Sequence, residues 1–274
     1  MHLLLLNADD TMLKNFWKQL ASANKAALLL DYDGTLAPFR VERDQAFPYP
    51  GVRELLTAIR STTETRLVII TGRAIKDILP LLALDPPPEI WGCHGWERLE
   101  ASGLQPVVDL PEQAALGIRK AHLSIEAQEL SNYCEIKPAS LAIHWRGLTD
   151  QTIEELNWRV RDYWQPIAEE YGLEIHPFNG GLELRCPKKN KGTAIGSILD
   201  DINPEQPLAF LGDDLTDEDG FAALKGRGLG VLVNKEEKKT DADIQITPPE
   251  GLLDFLSHWR DTAPEKIMQH KEGM

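Results

Sequence analysis

The chain has 274 residues, and its 29 Lys and Arg against 43 Asp and Glu leave a formal charge of −14. That balance argues against nucleic acid and anionic membrane as partners, although a metal and local cations can reverse the field inside one anion-binding pocket. The length accommodates one domain with a large insertion or two domains.

Leu3 to Leu6 is too short to span a membrane and lacks the basic flank of a signal peptide, so a soluble cytoplasmic protein is expected. The apolar run Ala26 to Leu30 reads as a buried strand whose carboxyl edge delivers Asp31 and Asp33 into a turn. Ligands bind at that edge of open α/β sheets, and Gly34 permits a sharp bend there. A helix over Val52 to Arg60 and a second buried strand, Leu67 to Ile70, lead to Thr71-Gly72-Arg73. Ala74 to Leu82 reads as a helix that Pro80 distorts or ends, and Ile90-Trp91-Gly92 as a weak strand.

The pattern then changes. Pro111 to Leu130 reads as a helix, Tyr133 to Ile136 and Leu141 to Trp145 as strands, and Asp150 to Tyr171 as a long helix with Thr149 near its cap. Leu173 to Pro177 and Leu182 to Arg185 form a hairpin around Asn179-Gly180-Gly181. This αββαββ stretch reads as a small inserted domain. The earlier pattern resumes with a helix from Lys191 to Leu199, strands Leu208 to Leu211 and Gly230 to Val233, and a helix from Gly251 to Trp259. The expected division is a core of residues 1–108 and 187–262, an insertion of residues 109–186, and a flexible tail of residues 263–274. Cys93, Cys134 and Cys186 are odd in number and lack metal-type spacing, which favours reduced thiols.

The chemistry-bearing residues collect at strand ends. Two carboxylates two residues apart, Asp31 and Asp33, can divide a reaction between nucleophile or metal ligand and acid/base. The Thr71 hydroxyl could hold a phosphoryl oxygen, though Thr-Gly after a strand is also an ordinary turn. Lys191 opens a helix, whereas Lys188 and Lys189 read better as solvated surface charges. Gly212-Asp213-Asp214, with Asp217 and Glu218 beyond, starts where a buried strand stops. Its carboxylates would repel Asp31 and Asp33 unless a hard divalent cation such as Mg²⁺ lay between them.

In this order the clusters Asp31-x-Asp33-Gly34-Thr35, Thr71, Lys191 and Gly212-Asp213-Asp214 resemble the motifs of the haloacid-dehalogenase superfamily. The resemblance implies a Rossmann-like parallel-sheet core with an inserted α+β cap of the second type, placed before Lys191. From Ala26 to Trp259 the chain is most similar to the trehalose-6-phosphate phosphatase family. The similarity is carried by Gly92-Cys93-His94-Gly95-Trp96-Glu97, by Lys137 to Arg146, by Glu183-Leu184-Arg185, by Asn190-Lys191-Gly192 and by Gly212 to Phe221. It departs at Asn179-Gly180-Gly181, where the family usually carries Gly-Lys.

The resemblance implies Mg²⁺-dependent hydrolysis through a phospho-aspartate. Asp31 is then the nucleophile, Asp33 the acid/base, Thr71 and Lys191 the phosphoryl ligands, and Asp31, Asp33 and Asp213 the metal ligands. Asp214 would orient Lys191 or a metal-bound water, with Asp217 behind it. The expected partner is a phosphorylated disaccharide, held by Gly72, Arg73, His94, Glu97, Lys137, His144, Arg146 and Glu183. Arg146 and Glu183 could instead form a cross-strand ion pair, and His144 could be structural. A monomer is the default expectation, and nothing in the sequence derives it. The rival readings are a phosphatase for another glycosyl phosphate, such as glucosyl- or mannosyl-phosphoglycerate or glucosylglycerol phosphate, and a non-catalytic phosphosugar-binding regulator.

Overall fold

The protein is described by a computed structural model covering residues 3–5, 9–105, 110–178 and 180–266. In chain order, β1 (Leu3–Leu5) and α1 (Asp10–Ser22) precede β2 (Ala26–Leu30), α2 (Val52–Thr62), β3 (Thr65–Ile70) and α3 (Ile75–Leu82). They are followed by β4 (Glu89–Gly92), β5 (Glu97–Glu100) and β6 (Gly103–Gln105). The inserted unit comprises α4 (Glu112–Ala127), β7 (Cys134–Lys137), β8 (Ser140–His144), α5 (Asp150–Tyr171), β9 (Glu174–Phe178) and β10 (Gly181–Arg185). The chain returns through α6 (Lys191–Asp201), β11 (Leu208–Gly212), α7 (Leu215–Leu224), β12 (Leu229–Val233), β13 (Ile244–Ile246) and α8 (Glu250–Thr262).

The larger sheet has the order β1-β13-β12-β11-β2-β3-β4-β5-β6. The six strands from β13 to β4 run parallel, and antiparallel β1 and β5–β6 close the two edges. All five residues of β2 are buried. Alternation sends Leu28 and Leu30 into a core shared with α1, α2, α3 and α8, and sends Ala27 and Leu29 into a core shared with α6 and α7. A sheet covered on both faces explains why its strands read as continuous apolar runs. The parallel direction also brings the ends of β2, β3 and β11 to one edge, where Asp31, Thr71 and Asp213 follow.

The cap is a four-stranded antiparallel sheet, β7-β8-β10-β9, backed by α4 and α5 over a separate core that includes Ile118, Ile125, Leu141, Ile143, Val160 and Trp164. The Thr149 hydroxyl caps α5, as the sequence predicts, and Gly172 at φ 64° ends it.

Three details differ from expectation. Pro80 does not end α3, which continues to Leu82. The strands β5 and β6 and the helices α1 and α7 fall where no regular element was expected. The tail is docked as far as Lys266: Glu265 bridges to Thr63 and the Lys266 N–H donates to the Thr62 carbonyl. The expected cap boundary at Asp109 and the turn residue Asn179 lie outside the described residues.

Candidate active site

Asp31 is buried at the end of the middle strand of the sheet, its backbone N–H bonded to the Leu211 carbonyl on β11 at 2.9 Å. Both of its carboxylate oxygens are held: Oδ1 accepts from Lys191 Nζ at 2.6 Å and Oδ2 from the Thr35 hydroxyl at 3.0 Å. Lys191 arrives at the first turn of α6, whose Asn190–Thr193 capping box fixes the helix start. Its ammonium also donates to Asp217 Oδ1 at 2.6 Å. Asp217 Oδ2 accepts from the backbone N–H groups of Asp213 and Asp214 at 3.0 and 3.1 Å. Asp217 therefore orients Lys191, one of the two roles expected of Asp214. Asp214 is instead the N-cap of α7, accepting from Leu215 N at 2.6 Å, because its place before the helix directs its carboxylate to the free amides.

Three carboxylates, Asp31, Asp213 and Asp217, present oxygens within 4.8 Å of one another. Burial pushes the Asp31 carboxyl up to about 7, with Lys191 opposing and Asp217 adding to the rise. Burial, then Asp31 and Asp217, raise Asp213 well above the carboxylate range. One ammonium among three buried carboxylates leaves excess negative charge, and Asp213 Oδ1 is buried with no hydrogen-bond partner. Gly34, at φ 88°, keeps this space open: a Cβ there would lie 2.2 Å from Asp213 Oδ2. An all-oxygen donor set of this kind suits a small hard cation.

Thr71 is buried beside Asp31, and its oxygen accepts from Arg73 N at 3.2 Å, which leaves the hydroxyl proton to be donated. Arg73 grips Asp33 with a fork, Nε to Oδ2 and Nη2 to Oδ1, both at 2.6 Å. These residues face a cavity also lined by His94, Lys137, His144, Arg146 and Glu183. On the cap sheet Glu183 accepts from Lys137 Nζ at 2.9 Å and the Ser140 hydroxyl at 2.8 Å, and its other oxygen lies 3.3 Å from His94 Nε2. Burial alone would raise Glu183, but Lys137 and His94 overcome it and hold the carboxyl well below its usual range. Burial would lower Lys137, and Glu183 and Glu135 reverse that. Arg146 lies over the Phe39 ring at 4.6 Å, and the ion pairs of Glu183 are with Lys137 and His94. His144 bonds Glu135 at 2.9 Å and meets Phe178 edge-on.

Glu97 does not face the cavity with the other sugar-site candidates. Its Oε2 accepts from Ile75 N at 2.7 Å, supplying the cap that Ala74 cannot give to α3. Sequence reasoning missed Thr35, Arg43 and Glu135. Thr35 stands in the first motif itself. Glu135 shares a strand face with Lys137 two residues on. Arg43 lies in an aperiodic polar loop that offers no signal.

The family model described as Trehalose-phosphatase matches residues 29–249. The chain belongs to the trehalose-phosphatase family. That family is one of phosphoric monoester hydrolases. The trehalose-6-phosphate phosphatase of Escherichia coli is 28% identical over 256 residues, covering 91% of this chain and 90% of its own. An uncharacterized glycosyl hydrolase of Mycobacterium tuberculosis is 27% identical over 271 residues, covering 93% of this chain but 20% of that protein. The chain thus spans about a fifth of that longer relative. Among solved structures, the C-terminal domain of the Candida albicans trehalose-6-phosphate phosphatase superposes with a TM-score of 0.75 at 21% identity, over 94% of this chain and 99% of that one. A Bacteroides thetaiotaomicron phosphatase of the haloalkanoate (HAD) enzyme superfamily superposes at 0.57, covering 87% of this chain and 96% of its own at 18% identity. The trehalose-phosphatase family member described here therefore has the HAD fold, with an α+β cap inserted into its parallel-sheet core.

Proposed function

We propose that this chain hydrolyses trehalose 6-phosphate to trehalose and phosphate through a phospho-aspartate on Asp31, with Mg²⁺ as cofactor. One observation carries the reading: Asp31, Asp33, Thr71, Lys191 and Asp213 line one cavity whose other wall is the polar face of the cap.

Asp31 attacks phosphorus, and the P–O bond to the sugar breaks as the Asp31 Oδ–P bond forms. Lys191 and the Thr71 hydroxyl stabilise charge on the phosphoryl oxygens, in place before the reaction begins. Asp33 gives its proton to the leaving sugar oxygen. It then takes one from the water that cleaves the acyl phosphate. Asp31, Asp213 and the Asp33 carbonyl would hold the Mg²⁺, in keeping with the unpaired Asp213 oxygen. The bound ion supplies Lewis-acid charge neutralisation. Lys137, His144, Arg146 and Glu183 suit sugar hydroxyls remote from phosphorus. Among the described residues no helix is long and apolar enough to cross a membrane.

The test is phosphate release from trehalose 6-phosphate, glucosylglycerol phosphate and glucosyl-phosphoglycerate, with Mg²⁺ and with EDTA. Trehalose 6-phosphate is expected to be turned over fastest, only with the metal, and not by Asp31→Asn. Preference for another ester would reassign the substrate, and binding without turnover would make the protein a regulator.

A further inference from the structure

A line of polar contacts crosses from the cap to Asp33. Glu135, on β7 of the cap, pairs with Arg43 Nη1 in the core loop at 2.5 Å. The Arg43 carbonyl accepts from Arg73 Nη1 at 2.8 Å, and Arg73 Nε and Nη2 form the fork on Asp33. Tyr32 steadies both ends: its ring lies 5.7 Å from the Arg73 guanidinium, and its hydroxyl donates to the Ala46 carbonyl at 2.8 Å. The same core loop meets the cap through Phe39 under Arg146.

We infer that Arg43 and Glu135 are positioning residues whose ion pair couples the seating of the cap to the acid/base Asp33 through Arg73. This rests on the phosphatase reading above. A carboxylate has about four lone-pair sites, and a bidentate guanidinium takes one on each oxygen. The Arg73 fork therefore fixes the plane of Asp33 while leaving each oxygen a lone pair for proton transfer. Arg73 has a third anchor in the Arg43 carbonyl, and that segment is tied to the cap by the Arg43–Glu135 pair. Lifting the cap breaks the pair and frees the segment on which the fork is braced. Proton transfer is thereby tied to the closed site, where water is excluded.

The test is a double-mutant cycle on the whole chain with Mg²⁺, using Arg43→Gln, Glu135→Gln and the double variant. Each single change is expected to lower kcat on trehalose 6-phosphate roughly tenfold with KM within about twofold, and the double variant to lose no more than either. p-Nitrophenyl phosphate gives an independent readout. Its leaving group departs without a proton, so Asp31 is still phosphorylated, while hydrolysis of the acyl phosphate still needs Asp33 to accept a proton from water. The variants should therefore release a burst of p-nitrophenol of about one equivalent per enzyme and then turn over slowly. Multiplying losses, a change confined to KM, or the lack of a burst would overturn the inference. Both side chains are partly exposed, at 28% and 15%, so the variants are expected to fold. Should either fail, Glu135→Asp keeps the charge on a shorter arm and is expected to show a smaller burst and an intermediate kcat. A parent inert toward trehalose 6-phosphate would overturn the substrate reading alone, and the burst assay would still decide the inference.

Discussion

Asp217 grips Lys191 from behind, its Oδ1 2.6 Å from the ammonium that also touches Asp31. Asp217 is fully buried, and its second oxygen binds two backbone amides. Asp217→Ala thus removes one of the two carboxylates on the buried Lys191 ammonium and strands two N–H groups at once. It is expected to cost about 3 kcal/mol of stability and at least about 100-fold in kcat. Asp214→Ala removes the cap of α7 and leaves the Asp217–Lys191 contact in place, so it should cost about 1 kcal/mol with most activity kept. Thermal unfolding and phosphate release on the two variants side by side check this, and equal effects would return the orienting role to Asp214.

Asp213→Ala is expected to raise the Mg²⁺ concentration for half-maximal activity by roughly two orders of magnitude, because a small hard ion with few protein ligands cannot spare one. A second readout needs no substrate. Mg²⁺ should raise the melting temperature of the parent, since it binds only the folded site, and leave that of the variant unmoved. A melting temperature indifferent to Mg²⁺ in both proteins would remove the metal from this position.

Glu183 and Glu97 should now behave differently. Glu183→Gln is expected to lower kcat/KM for trehalose 6-phosphate by roughly 30- to 1,000-fold, the cost of about 2–4 kcal/mol of charged hydrogen bonding, and to spare p-nitrophenyl phosphate. Glu97→Ala removes the acceptor for Ile75 N and is expected to lower stability by about 1 kcal/mol without altering substrate choice. Steady-state kinetics on both esters separates these outcomes, and a sugar-selective loss in Glu97→Ala would restore it to the binding site.

Glu135 predicts part of the acid sensitivity. Burial would raise its carboxyl, but Lys137, His144 and Arg43 pull it from the ordinary 4.5 down to about 2. The folded state binds that proton more weakly than the unfolded chain. Its contribution, up to about 3 kcal/mol, is therefore complete above the ordinary carboxylate range and lost as pH falls through about 2. Glu135→Gln should flatten the dependence of melting temperature on pH between about 5 and 2. Parallel curves for parent and variant would contradict the assignment.

The strands that carry the site were the most legible part of the fold, because Ala26 to Leu30 and Leu208 to Leu211 are unbroken apolar runs ending in carboxylates. A buried strand in a two-sided sheet has no other pattern to offer. The helix α7 was hidden by its own acidity: the run from Asp213 to Glu218 read as a strand-end carboxylate cluster, although Asp214 and Asp217 form the capping box that starts the helix. The strand β5, second from the sheet edge, is half exposed and charged, so Glu97 to Glu100 carries little apolar alternation. Glu97 looked like a sugar ligand beside His94, yet which acceptor fills the start of α3 is a tertiary fact. Arg43 is legible only in space, since its partner lies in the cap.

Asp31, the proposed nucleophile, follows the middle strand of nine, and that placement sets how the proposed activity should fail. The amides of Leu28 to Leu30 are flanked by β3 and β11 and covered on both faces, so they should exchange with deuterated solvent only on global unfolding. Asp31 itself donates into the same ladder. The cap residues ride on a separate four-stranded sheet that can open without disturbing those amides. In a denaturant titration, selectivity between sugar and generic esters should fade first, while the capacity to be phosphorylated persists until the whole core melts.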